Sequence, residues 1–145
     1  METGNLLIDA QAAFARQRRR RRLDKVVGRL RGSTARLGSL EEALGERPPA
    51  LRRLAGLQAI SLCSVVGTAE PAKARVFDGR FRAPETSRRR WEALWLAHRR
   101  GAAVPPISVF RVGDRHYVDD GHHRVSVAKA LGMAAIDAEV TELAT

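Results

Sequence analysis

The sequence predicts an α/β protein, with a small core over residues 57–145 preceded by a basic helical extension over residues 1–56. Three observations carry this. The chain has 145 residues, 44% hydrophobic and 29% charged, which suits one packed domain and excludes collagenous or wholly disordered polymers. From Leu57 onward, short apolar runs of strand type alternate with stretches of helical spacing, a texture the first 56 residues lack. Charge divides at the same place: residues 1–56 carry 13 basic and 6 acidic side chains and the remainder 13 and 10, for a net +10.

In the extension, Asn5 caps a predicted helix whose apolar positions Leu6, Leu7, Ala10 and Phe14 recur near the helical period. Leu23, Val26, Val27 and Leu30 continue the pattern to a stop at Gly32. Between these patches, the basic run from Arg16 to Arg22 would put positive charge all round a helix and leave no face to bury, so it is expected to fray when free. Ser39 and Glu42 make a capping box for a short helix through Leu44, Pro48-Pro49 ends it, and Leu51 to Leu54 read as a last piece of the helical arm.

In the core, Ala59 to Leu62 reads as a short strand, and Val65 to Thr68 as an apolar stretch with a turn-permitting glycine. Residues 69–86 read as a loop pinned by Phe77 and Phe81. Ser87 caps a helix with Trp91, Leu94, Trp95 and His98 at i, i+3, i+4 and i+7, which assigns both tryptophans to the core, and Gly101 stops it. Pro105-Pro106 leads into a hairpin, Ile107 to Val112 and Arg115 to Asp119, turning at Gly113-Asp114. Asp120-Gly121 breaks the second strand, Val125, Val127, Ala128 and Leu131 define a helix ending at Gly132, and a last strand lies near Ile136 to Thr141. His116 is expected on the strand surface, and Cys63, the single cysteine, as a small buried hydrophobe.

The longest uncharged apolar run, Leu57 to Ala69, falls short of the roughly 20 residues of a membrane span. Glu2 comes first and the arginines follow Leu6, Leu7 and Ile8, the reverse of a secretory leader, so a cytoplasmic location is expected. One cysteine excludes an internal disulfide framework and a multi-cysteine zinc site. Adjacent histidines on a helix point about 100° apart, which disfavours a zinc site at His122 and His123.

The segment Asp120-Gly121-His122-His123-Arg124 lies at a strand-to-helix junction, where free backbone N–H groups and the positive dipole end attract anions. Gly121 permits close approach of a phosphate, His122 and His123 offer imidazole hydrogen bonds, and Arg124 offers a guanidinium fork. Asp119 and Asp120 would repel that anion unless a divalent cation lies between, which implies Mg²⁺. On the alternative reading, Asp120 caps the helix and the rest is a polar first turn. Glu70 and Asp120 are candidate catalytic carboxylates, and Arg80 or Arg82 could help hold phosphates.

These residues, with Pro105-Pro106-Ile107, Tyr117-Val118 and Ala128-x-x-Leu131-Gly132, resemble the ParB/sulfiredoxin-like fold over about residues 57–143. The resemblance implies a small α/β domain with a mixed sheet whose loop Gly121 to Arg124 binds nucleotide phosphates. ParB proteins carry Gly-Glu-Arg-Arg here and bind CTP, so His122 and His123 depart from that pattern. Sulfiredoxins carry Gly-Cys-His-Arg with an essential cysteine, and His122 occupies that position. The loop is most similar to that of free-serine kinases of the same fold, which phosphorylate a small hydroxyl substrate. A nucleotide (CTP, ATP or ADP) with Mg²⁺ is therefore expected. The alternatives are a small-molecule kinase and a catalytically inert interaction module. On the kinase reading a chain truncated before Leu57 keeps its activity.

The arginines Arg16, Arg18, Arg19, Arg20, Arg21 and Arg22 form a patch able to neutralise phosphates of DNA or RNA, unaccompanied by a base-reading motif. An anionic-membrane contact and a solvated tail are the other readings of the same run.

Overall fold

The computed structural model describes residues 4–32, 36–46 and 48–144. The first helix, α1 (Leu6–Arg31), begins and ends as its caps dictate: Asn5 Oδ1 accepts the Leu7 and Ile8 N–H groups at 3.0 and 3.4 Å, and Gly32 closes it in the left-handed conformation. The arginine run is helical throughout, because one face of α1 is docked. Ala10, Ala13, Phe14 and Gln17, at i, i+3, i+4 and i+7, are buried. Phe14 meets Trp91 edge-on at 5.4 Å. The Gln17 amide donates to the Ala83 carbonyl at 3.1 Å and accepts from its N–H at 2.9 Å.

The remaining elements are β1 (Gly38–Ser39), α2 (Leu40–Leu44), β2 (Leu51–Ser61), β3 (Val65–Thr68), α3 (Pro71–Val76), α4 (Arg88–Arg99), β4 (Ile107–Val112), β5 (Arg115–Asp120), α5 (His122–Ala130) and β6 (Ala135–Ala144). The strands form one six-stranded mixed sheet in the order β1-β3-β5-β4-β6-β2. The pairs β1/β3, β3/β5 and β4/β6 are parallel, and β4/β5 and β2/β6 are antiparallel. Ile107, Val109, Val118, Ala138 and Val140 of the sheet share one core with Phe14, Trp91, Trp95 and Val125 of the helices. Within it the Trp91 indole N–H donates to Ser126 Oγ at 2.8 Å, so the buried ring leaves no orphan donor.

Several sequence expectations are corrected. Leu51 to Leu54 are not a helical piece: they begin β2, whose pairing with β6 runs from Leu51↔Ala144 to Ser61↔Ala135. The division between residues 56 and 57 falls inside that strand. The segment 69–86 contains α3, although Phe77 and Phe81 anchor it in the core as expected. His116 is buried, with Nδ1 2.8 Å from Ser64 Oγ, whereas Cys63 is exposed. No helix among the described residues is long and apolar enough to cross a membrane.

Candidate phosphate site at the head of α5

Because β3 and β5 are parallel neighbours, with Thr68 opposite Val118, both deliver their carboxyl ends to the same edge of the sheet. Glu70 and the start of α3 follow one, and Asp120, Gly121 and α5 follow the other. Between them and α4 lies a cleft of about 450 Å³. It is lined by Gly121 to Arg124, by the carboxylates Glu70, Asp119 and Asp120, and by Lys73 and Arg90. The structure thus brings Glu70 and the whole Asp-Gly-His-His-Arg segment together.

Gly121 is required twice over. Its φ of 113° lies in the left-handed region, and a Cβ there would stand 2.8 Å from Ile107 Cβ. No side chain caps α5, and Asp120 pairs with Arg124 instead of closing the helix. The first turn of a nine-residue helix therefore opens on the cleft with its N–H groups available to an anion.

The two histidines are positioned differently. His122 is buried, its ring against Phe77 and Phe81, with Nε2 2.7 Å from Thr68 Oγ1. Thr68 Oγ1 also accepts the Glu70 N–H at 2.9 Å, so one hydroxyl ties the two strand ends together. His123 lies edge-on to Phe77, with Nε2 2.8 Å from Ser87 Oγ. That contact takes the hydroxyl expected to cap α4, and Ser87 makes no cap bond. Burial is the main cause that pushes both histidines down to about 4, helped by Lys73 for each, by His123 for His122, and by Arg90 for His123. Both rings are neutral at pH 7 and fix the loop by hydrogen bonds rather than by charge.

Arg124 is likewise engaged within the protein. Its Nη1 donates to the Pro105 and Pro106 carbonyls at 2.9 and 2.6 Å, and Nη2 to Asp120 Oδ2 at 2.8 Å. It fastens the segment before β4 to the head of α5. Lys73 and Arg90, which sequence reasoning missed, lie on the cleft wall with no ion-pair partner among the described residues. Lys73 fell in a segment read as loop and Arg90 in the polar start of a helix, so neither had a pattern to reveal it.

Burial also lowers His98 and His116, so all four histidines of the chain titrate below their usual range. Below their ordinary value of 6.5 the unfolded chain takes up protons that the folded chain refuses, so stability falls as pH falls from 6.5 toward 4. Thermal melting is expected to drop steadily across this window. An unchanged melting temperature between pH 7 and about 4.5, where most carboxylates are still ionised, would contradict neutral buried imidazoles.

Among the described residues, no cluster of three or more His, Cys, Asp or Glu could hold a metal ion alone. Asp119 and Asp120 nevertheless suit Mg²⁺, which is commonly held by one or two carboxylates together with substrate phosphates.

The predicted nucleic-acid residues separate. Arg18 pairs with Glu85 at 2.9 Å and Arg21 donates to the Arg82 carbonyl at 3.0 Å, whereas Arg19 and Arg22 are exposed. Arg16 and Arg20 line a second cleft with Arg80, Arg82 and Lys129.

No protein-family model matches the chain. No curated protein matches it either. Its fold is similar to that in the crystal structure of sulfiredoxin from Arabidopsis thaliana, at 20% identity and a TM-score of 0.42, over 58% of this chain and 82% of that one.

Proposed function

We propose that the cleft at the head of α5 binds a nucleoside di- or triphosphate with Mg²⁺. The observation that carries this reading is the uncapped first turn of α5, opened by Gly121 and faced by the cations Lys73 and Arg90, which have no ion-pair partner among the described residues. Backbone N–H groups and two cations suit phosphate oxygens, and Asp119 and Asp120 suit the accompanying cation. Mg²⁺ would neutralise phosphate charge in that position.

Glu70 favours phosphoryl transfer as the second reading. Its carboxylate borders the same cleft, is exposed, and has no ion-pair partner among the described residues. It can accept the proton of an acceptor hydroxyl as that oxygen bonds to the terminal phosphorus and the bridging P–O bond breaks, leaving a nucleotide shorter by one phosphate. Asp120 is paired with Arg124 and serves position.

Calorimetric titration with CTP, ATP, ADP and GTP in Mg²⁺ tests the binding reading. At least one nucleotide is expected to bind, and Lys73→Ala with Arg90→Ala to weaken it by about 3–6 kcal/mol in total, counting each charged contact at about 1.5–3 kcal/mol. Equal affinity in the double variant, or no binding at millimolar nucleotide, contradicts the reading. Turnover with hydroxyl acceptors that survives Glu70→Gln removes Glu70 from the chemistry.

A further inference from the structure

The second cleft lies at the other end of α5. Its volume is about 340 Å³, and it is walled by α1, the Arg80–Arg82 loop, the last turn of α5 and the residues after β2. Among the described residues that line it, five side chains are cationic and none is a carboxylate. Two of the five are already balanced: Arg82 pairs with Asp24 and Asp78, and Arg80 approaches Asp24 at 3.8 Å. Arg16, Arg20 and Lys129 have no ion-pair partner among the described residues. Lys129 is the most confined, half-buried with Nζ 5.7 Å from the Phe81 ring centre. Leu62, Ala13, Ala130 and Met133 complete the wall with apolar surface.

Three unbalanced cations converging on one concavity are costly to hold together without an anion, and the same arrangement makes an anion bind well. We infer that this cleft is a second anion site, for a compact ligand carrying two or more phosphate groups, separate from the site at the head of α5. The shape of the charge decides against an extended nucleic-acid strand. On the α1 face that carries Arg16 and Arg20, the next position one turn on is Asp24, so the basic stripe stops after two turns. Arg18 and Arg21, which would widen it, are tied to Glu85 and Arg82. A strand needs a continuous basic track, whereas a diphosphate needs only this bounded cluster.

Cys63 lines the cleft, is exposed, and is the only cysteine of the chain, so its alkylation by N-ethylmaleimide reports occupancy. Pyrophosphate at about ten times its Kd is expected to slow alkylation about tenfold, while sodium chloride of equal ionic strength does not. Arg16→Ala with Arg20→Ala, and separately Lys129→Ala, are expected to remove the protection. Lys73→Ala with Arg90→Ala, at the first cleft, is expected to leave it intact, which keeps this inference distinct from the nucleotide proposal. Protection that vanishes in the Lys73 and Arg90 variant, or that chloride reproduces, overturns it. So does an alkylation rate that pyrophosphate leaves unchanged, and so does protection by a single-stranded oligonucleotide alone.

Discussion

A protein cut back to Leu57 is expected to show no cooperative thermal transition. The cut removes Leu51 to Gly56 from β2, and with them the pairing to Val140 through Ala144 of β6. It removes β1, which closes one edge of the sheet, and all of α1. Phe14, Ala10, Ala13 and Leu37 leave the core, and Trp91 loses the ring stacked edge-on against it. Truncating one buried phenylalanine costs about 3–5 kcal/mol, and a domain of this size holds about 5–15 kcal/mol in all. Loss of Gln17 also removes both hydrogen bonds to the Ala83 backbone. Calorimetry or circular dichroism on the truncated chain checks this. A sharp transition close to that of the intact protein would show that α1 is dispensable, and the activity expected of a core beginning at Leu57 would then be attainable.

Gly121→Val is expected to destabilise the protein by about 3 kcal/mol or more and to abolish nucleotide binding. Two costs add. A side chain at a φ of 113° carries backbone strain of about 1–3 kcal/mol, and overlap with Ile107 forces a displacement of about the same cost. The only escape is to move the head of α5, which also shifts the N–H groups proposed to hold phosphate and disturbs the Arg124 contacts to Pro105 and Pro106. Chemical denaturation and nucleotide titration measure the two effects. Ile107→Ala is not expected to rescue Gly121→Ala, because alanine keeps the Cβ that would stand 2.8 Å from the new one and the backbone strain remains. A Gly121→Val protein as stable as the parent and binding nucleotide equally well would contradict the geometry of the junction.

Some of this structure was legible in the sequence because local chemistry dictates it. The Ser39 capping box appears as a hydrogen bond from the Glu42 N–H to Ser39 Oγ at 3.4 Å. The Gly113-Asp114 turn joins β4 and β5, and Trp91 and Trp95 are buried where their spacing placed them. The junction at Gly121 stood out because aspartate, glycine and two histidines between a strand and a helix have few other uses. What escaped depended on contacts distant along the chain. The docked face of α1 is Ala10, Ala13, Phe14 and Gln17, two small residues, one aromatic and an amide. The spacing of Ala10 and Phe14 marks that face in the sequence, but only Ala83, far along the chain, explains a buried glutamine. The first half of β2 escaped, though Ala59 to Ser61 read as strand, because its irregularity between Leu54 and Gly56 breaks the alternation and leaves Leu54 and Leu57 exposed. At the site, the sequence marks the loop and expects His122 and Arg124 to meet a ligand, and in the structure their polar atoms lie against Thr68 and the proline carbonyls.

The most direct test of the central claim is to follow backbone amide resonances while Mg²⁺ and nucleotide are added. Saturable shifts at Gly121, His122, His123 and Arg124, together with Lys73 and Arg90, are the expected result, because phosphate oxygens on the first turn of α5 change the field at those N–H groups directly. Shifts confined to Arg16 through Arg22 and Lys129, with the head of α5 unmoved, would contradict it and place the nucleotide in the other cleft.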